Sequence, residues 1–142
     1  MRHFLISILI ISLLFTVTLV SFLPASDFSL ATGGFSESFP GPDLFYPVSD
    51  NISLGGNPYL EFKWRRTSFG STGSYDFRLY KGYQTTAANL IMKKRLSIED
   101  YPFKVASRDL ELNQVYTWVL VQILNSGKKS DKSFSSFKII KK

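Results

Sequence analysis

Leu110-Glu111-Leu112-Asn113-Gln114-Val115-Tyr116-Thr117-Trp118-Val119 is the stretch from which the fold of this chain can be read. Leu110 stands six residues before Tyr116, and the tyrosine opens a long run of β-branched and aromatic residues. That spacing matches the tyrosine corner of a Greek-key β-sandwich, where the chain leaves one strand, turns, and enters a strand of the other sheet. The ring packs in the core and its hydroxyl bonds back to the backbone a few residues upstream. Side chains alternate along a strand, so Tyr116, Trp118 and Leu120 are expected to face inward. Val119, Val121 and Ile123 then face the other way.

Working outward, the same alternation recurs. Over 59–65, Leu60, Phe62 and Trp64 oppose Tyr59, Glu61, Lys63 and Arg65. Over 74–81, Tyr75, Phe77 and Leu79 oppose Asp76, Arg78 and Tyr80. Both are patterns of half-buried antiparallel strands. A short strand is expected at 51–54, a weaker one at 89–98 around Leu90-Ile91-Met92, and another at 103–107 after Pro102. The longest spans 115–124, Asn125-Ser126-Gly127 turns the chain, and 133–140 closes the domain. No segment sustains a 3.6-residue period, although 85–89 has some helical potential. Seven short strands with regular turn signals indicate an all-β sandwich.

The pattern resembles a fibronectin type III domain over roughly 44–140. It is carried by Trp64, by Tyr75-x-Phe77-x-Leu79, by Leu110-x-Leu112 before the corner, and by Tyr116-x-Trp118. Gly127 then precedes a Ser-rich last strand with Phe137 and Ile139. The likeness is greatest to divergent versions in exported bacterial proteins. Leu112 stands where proline is usual, and 82–101 is longer than a minimal domain needs. Two residues after the corner tyrosine an antibody-type domain carries cysteine; here that residue is Trp118. The resemblance implies a seven-stranded, immunoglobulin-like Greek-key sandwich. It also implies a non-catalytic module that adheres, spaces other domains, or binds protein or glycan. It supplies no site, because a shared fold does not specify function.

The 142-residue chain carries a net charge of +6 and no cysteine. Met1-Arg2-His3 is basic, and residues 4–23 are almost wholly apolar. This is the pattern of a secretory signal, with cleavage expected after Ala25 or after Ala31. An apolar run of about 20 residues is also long enough to cross a bilayer, so an uncleaved anchor is the alternative. Residues 1–31 are therefore read as signal peptide or membrane anchor, 32–47 as a Gly/Ser/Pro-rich spacer, and 48–142 as the sandwich. The protein is expected to be exported: secreted, periplasmic or on the cell surface, and tethered if the segment stays. Contact with the membrane is expected only through that segment.

The residue inventory argues against catalysis. The only histidine is His3, so the domain has neither His nor Cys. Ser–His and Cys–His nucleophilic sites are thereby excluded, with nearly all zinc and copper sites. Neither a phosphate-binding glycine loop nor a calcium-loop pattern occurs. The pairs Glu99/Asp100 and Asp109/Glu111 read as solvated rims rather than opposed glycosidase carboxyls. No enzyme activity and no cofactor are expected.

Two candidate surfaces remain. The outward residues Val119, Val121 and Ile123, flanked by Tyr80 and Ile140, form an apolar stripe rimmed by charge. Such a patch suits a partner, a second copy, or the chain's own middle insertion. Arg65-Arg66 and Lys93-Lys94-Arg95, with the tail lysines, form a diffuse positive field suited to an anionic envelope polysaccharide. Aromatic residues are not interleaved with the basic ones as single-stranded nucleic acid would favour. Trp64, Tyr75, Phe77, Leu110, Tyr116 and Trp118 are read as core. A stacking platform for sugars would then rest on Tyr46, Phe69, Tyr83 or Tyr101. The expected function is a binding or adhesion module of the cell envelope or extracellular space. A structural subunit docking through the outer sheet face is the alternative, and a carbohydrate-active accessory domain is the third reading.

Overall fold

Apolar–polar alternation becomes paired strands in a computed structural model of the protein, which describes residues 38–141. The expected signal or anchor segment, and the spacer up to residue 37, lie outside the described residues. Eight strands form: β1 (Asp43–Tyr46), β2 (Asn51–Ser53), β3 (Tyr59–Arg65), β4 (Thr72–Lys81), β5 (Leu90–Leu96), β6 (Phe103–Ala106), β7 (Val115–Leu124) and β8 (Ser133–Ile140). They make two sheets, ordered β1-β3-β6 and β2-β8-β7-β4-β5. All pairings are antiparallel except β2 with β8, which is parallel. The fold is an all-β sandwich.

Seven of these strands coincide in place with the seven read from the sequence. The eighth, β1, lies inside the stretch read as a spacer. Its composition misleads because Gly41, Pro42 and Pro47 are packed rather than solvated. Phe39 is buried and bridges to Ser130, and Pro42 and Pro47 are fully buried. A side chain at Gly41 would collide with the carbonyl of Asp131, 2.7 Å from where its Cβ would stand. Leu44 and Tyr46 pack against the core. The folded chain therefore begins before residue 48.

The core lies between the sheets. Its six expected members, Trp64, Tyr75, Phe77, Leu110, Tyr116 and Trp118, are all in it. Phe62 sits at the centre, fully buried, with its ring edge-on to Phe77 (5.1 Å), Trp118 (5.1 Å) and Phe137 (5.9 Å). Edge-to-face pairs at such spacings add to the gain from burial. Trp118 also satisfies its one polar atom, since Nε1–H donates to the Pro47 carbonyl at 2.8 Å.

The corner takes the geometry its spacing suggests. The Tyr116 hydroxyl accepts a 2.7 Å hydrogen bond from the Glu111 backbone N–H. Its ring stacks on Phe137, and Leu110 is buried in the same cluster. Asn113 takes a φ of 61°, in the left-handed region that asparagine tolerates better than most residues. Its N–H donates to Ile139 at 2.7 Å, joining the turn to β8.

The opposite end is closed by a polar residue. Gln122 on β7 is wholly buried. Its Oε1 accepts from the Thr67 backbone N–H at 3.0 Å, and its Nε2 donates to Thr72 Oγ1 at 2.9 Å. Its own backbone N–H donates to Ser130 Oγ at 2.9 Å. One amide thus ties the β3–β4 loop, and its backbone ties the β7–β8 loop.

Two substitutions separate packing from hydrogen bonding. Trp118→Ala should cost roughly 3–5 kcal/mol, as other large-to-small core changes do. Tyr116→Phe keeps the ring and removes the corner bond, which should cost roughly 0.5–1.5 kcal/mol. Urea denaturation of the two variants checks both, and a loss in Tyr116→Phe as large as that in Trp118→Ala would mean that the corner bond matters to stability as much as the buried indole.

Candidate interaction surfaces

The outer face of the large sheet is read off its register. One row runs Phe134, Val119, Arg78, Lys93 across β8, β7, β4 and β5. The next places Val121, Asp76 and Arg95 side by side. Ser136, Thr117, Tyr80 and Leu90 form the row on the other side. Tyr80, Val119, Val121, Ile123 and Ile140 therefore do share this face.

They do not form an exposed stripe. Tyr80, Val119 and Ile123 are only 5%, 6% and 5% exposed, and Val121 and Ile140 are half-buried. The expectation fails because β7 is flanked on both sides within its sheet. Val119 stands between the long side chains of Arg78 and Phe134. Arg78 is held at 2.7 Å by Asp76. That hydrogen bond first, and Tyr80 second, keep its guanidinium above its ordinary range. Ile123 lies between Ser74 and the bridge to Lys129. The apolar surface on this side is instead Phe134, 71% exposed, with Leu90 and Ile91 at the β5 edge.

The basic residues divide by element. Lys93, Lys94 and Arg95 lie on β5, the strand expected over 89–98, at the edge of the sheet. Lys93 and Arg95 share the outer face, spaced by about 7 Å as alternate residues are. Lys94, in register with Phe77, points to the other side. All three are exposed, and Arg95 Nε donates to Ser74 Oγ at 2.9 Å. Arg65 is engaged by Asp43 at 2.8 Å and sits over the Phe45 ring. Arg66 lines a shallow depression of about 190 Å³ with Trp64, Tyr75, Ile98 and Tyr101. The two clusters are on different sheets.

The aromatic residues considered for stacking are scattered. Tyr83 and Tyr101 are exposed, Phe69 leans on Phe39, and Tyr46 is half-buried. Burial raises the Tyr46 phenol above its usual range. A residue outside that set is better placed. Tyr59, at the start of β3, is 54% exposed and lines two adjoining clefts. Beside it Glu61 contacts Lys63 at 2.9 Å and Lys104 at 3.7 Å. The hydrogen bond from Lys63 leads the effects that hold the Glu61 carboxyl below its ordinary range. The alternation at 59–65 marked both residues as outward, but only the pairing with β6 shows what they face.

Each carboxylate pair has a local partner. Asp100 accepts from the backbone N–H and the hydroxyl of Ser97. Glu111 accepts 2.7 and 2.8 Å hydrogen bonds from Lys81 Nζ, which keep that amine above its ordinary range. Asp109 lies 3.8 Å from Arg108. Among the described residues no group of three or more His, Cys, Asp or Glu could hold a metal, and no helix is long and apolar enough to cross a membrane. The sequence matches no family model and shows no significant match to a curated protein.

Val119→Lys distinguishes a packed position from a docking one. Burial predicts a stability loss of roughly 0.5–3 kcal/mol in the isolated protein, because a charge must leave water between Arg78 and Phe134. Thermal unfolding of a dilute sample measures it. An unchanged midpoint would mean that the position is open to solvent and free to meet a partner.

Proposed function

We propose that the chain is an exported, non-catalytic binding module of the cell envelope, with a fibronectin type III-like, immunoglobulin-like Greek-key sandwich. Its ligand is an anionic envelope polymer, an acidic polysaccharide above all. The Tyr116 corner and the strand order are what favour that fold. The apolar segment before residue 31 is what favours export.

The observation that carries the ligand class is the charge arrangement on the outer face. Asp76 is the one carboxylate among the strand residues of that face, and Arg78 occupies it at 2.7 Å. Lys93 and Arg95 stand beside that pair, exposed and with no carboxylate partner among the described residues. Lys138 adds a third exposed cation on β8. Alternate residues on one strand present charges in a row, which suits a chain of repeated anions better than a single charged group. The field is solvent-exposed, so salt should weaken it strongly: screening lengths fall from about 10 Å at 0.1 M to about 3 Å at 1 M.

A structural role through the same face is the second reading, and Phe134 is the observation that favours it. A ring so exposed beside a charged row suits a contact with another subunit.

Co-sedimentation of the purified chain with its own cells' envelope fraction tests both. The first reading expects binding at low salt that is lost at high salt and in the variant carrying Lys93→Glu and Arg95→Glu. Binding that survives salt and disappears with Phe134→Ser would instead establish the second. Absence of binding under every condition would sink both.

A further inference from the structure

Tyr59 opens β3 and pairs across the sheet with Ala106, so only a methyl group stands beside its ring on β6. Two clefts meet at this residue. One, of about 380 Å³, is lined by Asn57, Glu61 and Lys104. The other, of about 320 Å³, is lined by Ser107 and Arg108. Pro58 and Tyr59 belong to both, so the two clefts adjoin at the exposed tyrosine.

The walls are held in place before any ligand arrives. The β2–β3 loop turns through Gly55 and Gly56, at φ 54° and 82°, and closes with a 2.8 Å bond from the Asn57 N–H to the Leu54 carbonyl. Positive φ at both central positions is what glycine permits. Ser107 then clamps the loop from the other sheet edge. Its N–H donates to the Pro58 carbonyl at 2.9 Å, and its hydroxyl donates to the Asn57 carbonyl at 2.6 Å. A cleft whose loops are already fixed loses less entropy on binding.

We infer that these paired clefts bind a neutral oligosaccharide, with one pyranose unit in each cleft where they adjoin at Tyr59. A pyranose presents a face of C–H groups that lies against the electron-rich face of an aromatic ring. Its neighbouring hydroxyls both donate and accept. Glu61 and Lys104, 3.7 Å apart, offer an ionised acceptor next to a cationic donor. Adjacent hydroxyls of one sugar match that pair. A cationic ligand would meet Lys63, Lys104 and Arg108, while an anion would have to compete with Glu61 for the two lysines and with Asp109, 3.8 Å away, for Arg108. A neutral polyol can bond to these pairs without displacing either partner. This site rests on the reading of the chain as a binding module and is independent of the basic face on the other sheet.

The test uses the full chain in micelles of a phosphocholine detergent, so that no sugar headgroup competes. Cellohexaose, chitohexaose, mannohexaose and maltohexaose are titrated at high salt and followed by saturation-transfer NMR and calorimetry. At least one should bind saturably. Tyr59→Ala should weaken it by about tenfold or more, as loss of a central aromatic anchor does, with the unfolding midpoint unchanged because the ring is exposed. Glu61→Gln should weaken it too, while Lys93→Glu with Arg95→Glu should leave it unaltered. Failure of all four sugars to bind saturably overturns the inference, as does binding indifferent to Tyr59→Ala. Salt-sensitive envelope binding can persist in either case, so the two readings fail separately.

Discussion

The Phe62 ring holds the two sheets together. It comes from the small sheet and meets Phe77, Trp118 and Phe137, one residue from each of three neighbouring strands of the large sheet. Each contact is edge-on, the arrangement that ring quadrupoles favour. With no cysteine in the chain, no covalent link shares this task. The polar devices at the two ends depend on the resulting sheet spacing. Tyr116 reaches Glu111, and Gln122 reaches Thr67, only because the aromatic layer sets how far apart the sheets stand.

Much of this architecture was legible in the sequence, for a physical reason. Strands with one buried face must alternate, and 59–65, 74–81 and 115–124 do so plainly. The corner was legible because a tyrosine hydroxyl reaches a fixed distance along the backbone. The eighth strand was not, because Pro40-Gly41-Pro42 has the composition of a spacer while Gly41 is required by a close approach to Asp131. Gln122 was also hidden. A polar residue at an inward position says nothing of its partners until Thr67 and Thr72 are brought to it from a distant loop and strand.

The surfaces were harder to read than the core. Alternation placed Val119 and Ile123 correctly on the outer face but could not tell that face from solvent. Exposure there depends on the side chains of adjacent strands, and register is a property of the pairing rather than of any one strand. The same limit concealed the Tyr59 clefts. Tyr59 and Glu61 come from β3, Lys104 and Ser107 from around β6, and Asn57 from the loop after β2. The two outer faces consequently differ in chemistry. The large sheet presents a row of cations, and the small sheet presents a mixed acid–base cleft beside an aromatic ring.

The parallel pairing of β2 with β8 bears on how the module would behave under tension. β8 is the last strand and β2 follows β1, and Asn51, Ile52 and Ser53 lie in register with Lys138, Ile139 and Ile140. Once β1 had been pulled from β3, a load between the two ends would drag β2 and β8 lengthwise past each other. Their hydrogen bonds would then bear the force together instead of parting one at a time. Behind β1, this seam acts as a shear clamp, and mechanical resistance there is set by a few bonds rather than by the stability of the whole sandwich.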